Sequence, residues 1–115
     1  MKQEQTKLLL KTNEVMKFVK PREIVYCKGC GNYSMVYFED HNHMMLSGNI
    51  GCIAQRFNQK EFYRIHKSVV VNIYNIRSVN STAHSVEMCD GTILPISHRQ
   101  QKKFLQFLAE MYDNL

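Results

Sequence analysis

Apolar positions along the chain come in short bursts separated by polar or glycine-bearing punctuation. Val, Ile and Thr are spread over the whole length, which favours strands over a helical bundle. Leu8 to Thr12 and Val15 to Val19 read as two short strands joined at Asn13. Pro21-Arg22-Glu23 reads as a tight turn, with proline fixing φ. Ile24 to Cys27 is a third strand. Lys28-Gly29-Cys30-Gly31-Asn32 then reverses the chain, its glycines and asparagine tolerating positive φ. Tyr33 to Glu39 is a fourth strand, and Asp40-His41-Asn42-His43 turns into Met44-Met45-Leu46, which is hairpin grammar.

Two segments change period. Ile50, Ile53, Ala54 and Phe57 fall at i, i+3, i+4 and i+7, so a short helix is expected from Asn49 to Phe57, with Ser47 able to cap it. Near the C-terminus, Phe104, Phe107, Leu108, Met111 and Tyr112 recur at helical spacing behind Ser97 and Gln100, a capping-box pair. Between the helices, Phe62 to Ile65 and Val69 to Val79 are β-rich. Val86 to Cys89 and Thr92 to Leu94 flank Asp90-Gly91, which suits a type I′ turn. The implied fold class is mainly β: antiparallel sheets of about ten short strands, one short internal helix and a C-terminal amphipathic helix.

Composition narrows the class. The 115 residues suit one domain, spanning 1–115, and the apolar and charged fractions of 44% and 22% are those of an ordinary globular protein. The longest apolar runs, Leu8-Leu9-Leu10 and Val69-Val70-Val71, are far too short to cross a bilayer, and no signal-peptide stretch opens the chain. A cytoplasmic protein with no membrane partner is therefore expected. Net charge is +5, and the bases are unevenly placed. Residues 1–28 carry seven Lys/Arg against three acids, and Arg56, Lys60, Arg64, Lys67 and Arg77 face Glu61 alone. Residues 29–55 and 78–98 hold no base. Such clustering points to a polyanion partner.

Motifs identify the polyanion. Phe62-Tyr63-Arg64-Ile65-His66-Lys67-Ser68-Val69-Val70-Val71-Asn72 resembles the central signature of the LytTR family of bacterial DNA-binding domains: aromatic, Arg, apolar, His, basic, Ser, three apolar residues and Asn. Gly31-Asn32-Tyr33 resembles the family's reversal between strands. Asp90-Gly91 and Pro95-Ile96-Ser97-His98-Arg99 resemble its hairpin and the run before its last helix. The resemblance covers residues 8–108 and departs at Lys28, where the family often has an acid, and at His98, where Arg is common. It implies a cytoplasmic, sequence-specific binder of double-stranded DNA that regulates transcription, its loops entering successive major grooves of a tandem repeat site. It further implies a second copy on the repeats and an upstream signalling partner of the two-component type. Only a few residues precede the first strand, so no receiver domain is expected within this sequence. No cofactor, metal site or enzymatic activity is implied.

Within this frame particular residues become candidate contacts. Lys67 sits in a polar break between apolar runs and can donate to guanine or phosphate. Arg99 falls in the first turn of the last helix, where a guanidinium can clamp phosphate or guanine beside free N–H groups. Asn32, at a glycine-flanked tip, can pair with adenine or simply serve the turn. Lys28, Tyr33, Arg64, Ser97, His98 and Lys102 are candidates for backbone contacts. His66 and Asn72, set among apolar residues, are assigned to the scaffold, their polar atoms tied to neighbouring groups.

Two other classes stay open on the residues alone. Cys27-Lys28-Gly29-Cys30 is half of a zinc or redox motif, with no second pair at Cys52 or Cys89. Met44, Met45 and Leu46 are candidates for the adaptable surface of a non-catalytic protein-interaction module. Ser68 and His66 lack an evident carboxylate orienter and a nucleophile elbow, which argues against hydrolysis.

Overall fold

The punctuation between apolar runs becomes chain reversals in space. A computed structural model describes residues 7–112. Among them ten strands and two α-helices run in order: β1 (Leu8–Lys11), β2 (Met16–Val19), β3 (Ile24–Cys30), β4 (Tyr33–Phe38), β5 (His43–Ser47), α1 (Ile50–Gln55), β6 (Phe62–His66), β7 (Val69–Asn72), β8 (Ile76–Asn80), β9 (Ser85–Met88), β10 (Ile93–Pro95) and α2 (His98–Met111). All strand pairs are antiparallel. They make a ribbon β1-β2, a five-stranded sheet ordered β5-β4-β3-β7-β6 and a three-stranded sheet ordered β10-β9-β8. This is the mainly β class that the apolar pattern implies.

The five-stranded sheet separates two cores. On one face Ile24, Cys27, Val36, Phe38, Leu46 and Val70 pack beneath Ile50 and Ile53 of α1 and beside Leu10 and Val19 of the ribbon. On the other, Val25, Tyr26, Val69 and Val71 meet Val86, Met88 and Leu94 of the small sheet and Phe104 of α2. An isolated two-stranded ribbon is marginal in water, so burial of Leu10 and Val19 is what holds β1-β2 in place.

Several boundaries differ from the sequence reading, each for a local reason. Asn49, not Ser47, caps α1: its Oδ1 accepts from the Cys52 N–H at 2.9 Å. Ser47 ends β5, and Gly48 turns the chain at φ +123°, open to glycine without strain. The run from Val69 to Val79 is broken by a 3-10 turn at Ile73–Asn75. Asn72 makes the break, its Oδ1 accepting from the Tyr74 N–H at 3.0 Å. β3 continues through Lys28-Gly29-Cys30, which leaves only Gly31 and Asn32 for the reversal. At Asp90-Gly91 only Gly91 has positive φ, so the turn is not type I′. The Gly91 N–H donates to the Met88 carbonyl and the Met88 N–H to the Thr92 carbonyl, closing a three-residue loop. Ser97 caps α2 through its side chain at 3.2 Å, which is half of the expected box.

One register shift bears on the site. Arg64 opposes Val70 in the β6–β7 hairpin, but His66 opposes Val69, leaving Ile65 as a bulge. A bulge adds one residue and re-aims the side chains beyond it. It turns His66 toward the face of Val69 and α2, while Arg64 stays on the face of Val70 and α1.

Candidate nucleic-acid interface

A hairpin turn and two helix starts gather at one end of the central sheet. The β6–β7 turn is the two residues Lys67 and Ser68. The Gly29 N–H donates to the Ser68 carbonyl at 2.7 Å, docking this turn on β3. The Ser97 N–H donates to the Ile65 carbonyl at 2.9 Å, docking the start of α2 beside it. The start of α1 closes the group: a Cβ on Gly29 would meet Ile50 Cβ at 2.9 Å, so only glycine permits that approach.

Between the turn and α2 lies an open cleft of about 390 Å³ lined by Arg64, His66, Lys67, Ser97, Arg99 and Gln100. No carboxylate lines it. Among the described residues no acid lies within ion-pair distance of Arg64, Lys67 or Arg99, the recorded pair being Arg77 with Glu87 elsewhere. The lining groups differ in how far they are committed. Arg64 Nη2 donates to the Lys67 carbonyl, so its guanidinium braces the turn. A Cβ on Gly51 would lie 3.5 Å from Arg64 Nη1, which places that guanidinium over the start of α1. His66 Nδ1 accepts from the Ser68 N–H at 3.2 Å, so a neutral ring carries its proton on Nε2. Ser97 Oγ accepts from the Gln100 N–H. Lys67 and Arg99 are exposed, with no protein partner for their cationic groups among the described residues.

The remaining candidates are dispersed. Lys28 is exposed at the β3 position opposite Val69, beside the cleft. Asn32 lies in the β3–β4 turn, where its carbonyl accepts from the Gly48 N–H at 2.8 Å, outside the cleft lining. Tyr33 is 52% exposed and lines a separate hollow with Lys11, Thr12, Asn13, Met45 and Ser47. His98 is outside the cleft lining and stacks on His84 with ring centres 4.0 Å apart. Lys102 is exposed one turn along α2 from Arg99. Asn72 is 1% exposed; its Nδ2 donates to the carbonyls of Pro21 at 3.1 Å and Ile24 at 2.9 Å. Sequence reasoning finds Gln100 only as part of the cap, and it misses Gly51 and Asn49. The i+1 relation of Gln100 to Arg99 is the signal that could have found it.

The rival readings meet geometry that opposes them. From Cys27 to Cys30 β3 pairs with β4 in unbroken register, and in such a stretch positions three apart point to opposite faces. Cys27 is fully buried in the first core, while Cys30 is exposed on the other face. Burial also pushes the Cys27 thiol far above its usual range, against the thiolate that metal binding needs. The two sulfurs therefore do not make a shared zinc or redox site. Nor do Met44, Met45 and Leu46 form one exposed surface: Leu46 is buried, Met44 packs on the first core and Met45 alone is largely exposed.

A β-rich scaffold that presents a basic hairpin turn and a basic helix start, with no carboxylate in the cleft between them, defines a class of protein that meets an anionic polymer. Comparison with known proteins specifies it. The sequence model of the LytTr DNA-binding domain matches residues 14–109. The chain belongs to that family and is a DNA-binding domain. It is 29% identical over 108 residues to the sensory transduction protein LytT of Bacillus subtilis (strain 168), covering 90% of this chain and 44% of that protein. The chain thus spans less than half of that relative. The fold superposes with a TM-score of 0.77 on the solved LytTr DNA-binding domain of a putative methyl-accepting/DNA response regulator from Bacillus cereus, at 19% identity, covering 91% of this chain and 98% of that one. Among the described residues no helix is long and apolar enough to cross a membrane.

Proposed function

We propose that this domain reads double-stranded DNA with the cleft end of its central sheet and thereby regulates transcription, with Lys67 and Arg99 contacting bases and Asn32 contacting a further base from the β3–β4 tip. Lys28, Tyr33, Arg64, Ser97, His98 and Lys102 hold the phosphate backbone and set register. The observation that carries this reading is the convergence of Arg64, Lys67 and Arg99 on one cleft with no carboxylate in its lining. A hairpin turn and the first turn of α2 supply the lining, and, as the family resemblance implies, loops enter successive major grooves. Two copies on a tandem repeat extend the contact, and a signalling partner supplies control, as the response-regulator relatives suggest. The work is binding without catalysis, in the cytoplasm where bacterial DNA lies.

The test is equilibrium binding to duplexes selected from a random pool, measured against salt. With five to eight phosphate contacts, log K against log salt falls with a slope of about −4.5 to −7. A selected motif that repeats at a fixed spacing supports two copies. No enriched motif at moderate salt overturns sequence-specific reading.

A further inference from the structure

The cations of the cleft are chemically one-sided. Arginine and lysine only donate hydrogen bonds. In the major groove guanine offers two acceptors to them, whereas adenine offers an acceptor next to a donor. A cleft furnished with Lys67 and Arg99 alone recognises guanine or phosphate and leaves adenine unread.

One lining residue supplies the other chemistry. Gln100 stands in the first turn of α2, beside Arg99, and is partly exposed in the cleft. Its backbone N–H satisfies the Ser97 cap at 3.2 Å. Its carboxamide makes no hydrogen bond to protein among the described residues. The next residue, of the same type, is the contrast. Gln101 is bound at both ends of its amide: Oε1 lies 2.7 Å from His84 Nδ1, and Nε2 donates to the Ser81 carbonyl at 2.9 Å. Gln101 fastens α2 to the β8–β9 turn, while Gln100 is left facing the cleft. Each of the other polar lining groups already has a protein partner at one atom: Ser97 Oγ in the cap, His66 Nδ1 on the Ser68 N–H and Arg64 Nη2 on the Lys67 carbonyl.

We infer that Gln100 is a specificity-determining residue of this interface, its carboxamide pairing with the donor–acceptor edge of an adenine next to the bases met by Lys67 and Arg99. The inference rests on the cleft being the DNA-reading site. It adds that the recognised sequence contains an adenine fixed by α2, within a step of a position read by Arg99.

Gln100→Ala leaves the cap intact, because the cap uses the backbone N–H. Gln100→Glu places an acid in the first turn, which a helix N-terminus favours, and its carboxylate accepts from cytosine N4 in place of adenine. The full chain and four variants, these two with Lys67→Ala and Arg99→Ala, are put through selection from random duplex DNA, and each is checked for fold by circular dichroism. In Gln100→Ala we expect one adenine preference to disappear and affinity for the parental site to fall about 5- to 150-fold. Affinity for random duplex and its salt slope stay unchanged. In Gln100→Glu the same position shifts toward cytosine. If Lys67→Ala and Arg99→Ala alter the motif while both Gln100 variants keep it, Gln100 reads nothing and the inference is overturned with the interface intact. If none of the four alters the motif, the interface itself is misplaced.

Discussion

The two ends of the central sheet are built from the same parts, hairpin turns and helix ends, yet they hold their charges differently. At one end Lys67 and Arg99 stand on a cleft without a carboxylate. At the other, where β3 begins and β4 ends, acids sit among the bases. Arg77, on the neighbouring three-stranded sheet, is consumed: its Nη1 pairs with Glu87 at 3.2 Å and its Nη2 donates to the Cys89 carbonyl at 2.7 Å. The Cys89 thiol is raised above its usual range, first by burial and then by the negative charges of Asp90 and Glu39. The lesson concerns the +5 net charge. A count of bases gives a potential averaged over the surface. A binding site needs bases that the protein has not already paired, gathered on rigid elements that fix their spacing.

The largest effect that sharpens this contrast comes from the cleft cations. Lys67→Ala and Arg99→Ala each weaken binding to a selected duplex by on the order of 1–3 kcal/mol where a base contact is lost. Where a phosphate contact is lost instead, the salt slope shrinks by about 0.9. Next is Arg64→Lys, which keeps the charge but loses the planar fork that reaches the Lys67 carbonyl. It costs about 1 kcal/mol of DNA affinity, roughly fivefold in Kd, while the slope holds. An affinity equal to that of the unaltered domain removes the Arg64 brace from the account. Asp90→Asn probes the far end, where removing a negative charge lowers the Cys89 thiol and speeds its alkylation at neutral pH, by less than about tenfold. Unchanged rates remove the acidic field from the account. Smallest is Arg77→Ala: the pair is surface-exposed, so stability moves within about 0.5 kcal/mol and DNA affinity within about twofold. A loss equal to that of Arg99→Ala breaks the comparison.

Much of this was legible in the sequence, because alternation and helical spacing are local properties. The strand positions and the amphipathic C-terminal helix arise from where Val, Ile, Leu and Phe fall. Asn72 stands out as polar within an apolar run, and it does break that run. What escaped depends on contacts between distant segments. The cap at Asn49 prevails over Ser47 because Gly48 turns the chain between them, a backbone angle the residue letters do not specify. The bulge at Ile65, which re-aims His66, comes from pairing with β7. The same local pattern suggests Cys27 and Cys30 as partners, and a strand longer than expected sets them on opposite faces. Within the candidate site, Lys67 and Arg99 are nameable as exposed bases, but their convergence with Gln100 arises only when α2 docks on β6 through Ser97 and Ile65.

Which end of the sheet meets DNA is the claim on which the rest depends, and backbone amide shifts read it directly. Titrating the 15N-labelled domain with its selected duplex should perturb amides in three clusters: residues 31–33, 64–68 and 97–102. Residues 39–42 and 89–91 at the opposite end should stay still. Shifts concentrated at 39–42 and 89–91, with 64–68 and 97–102 unmoved, would contradict the account.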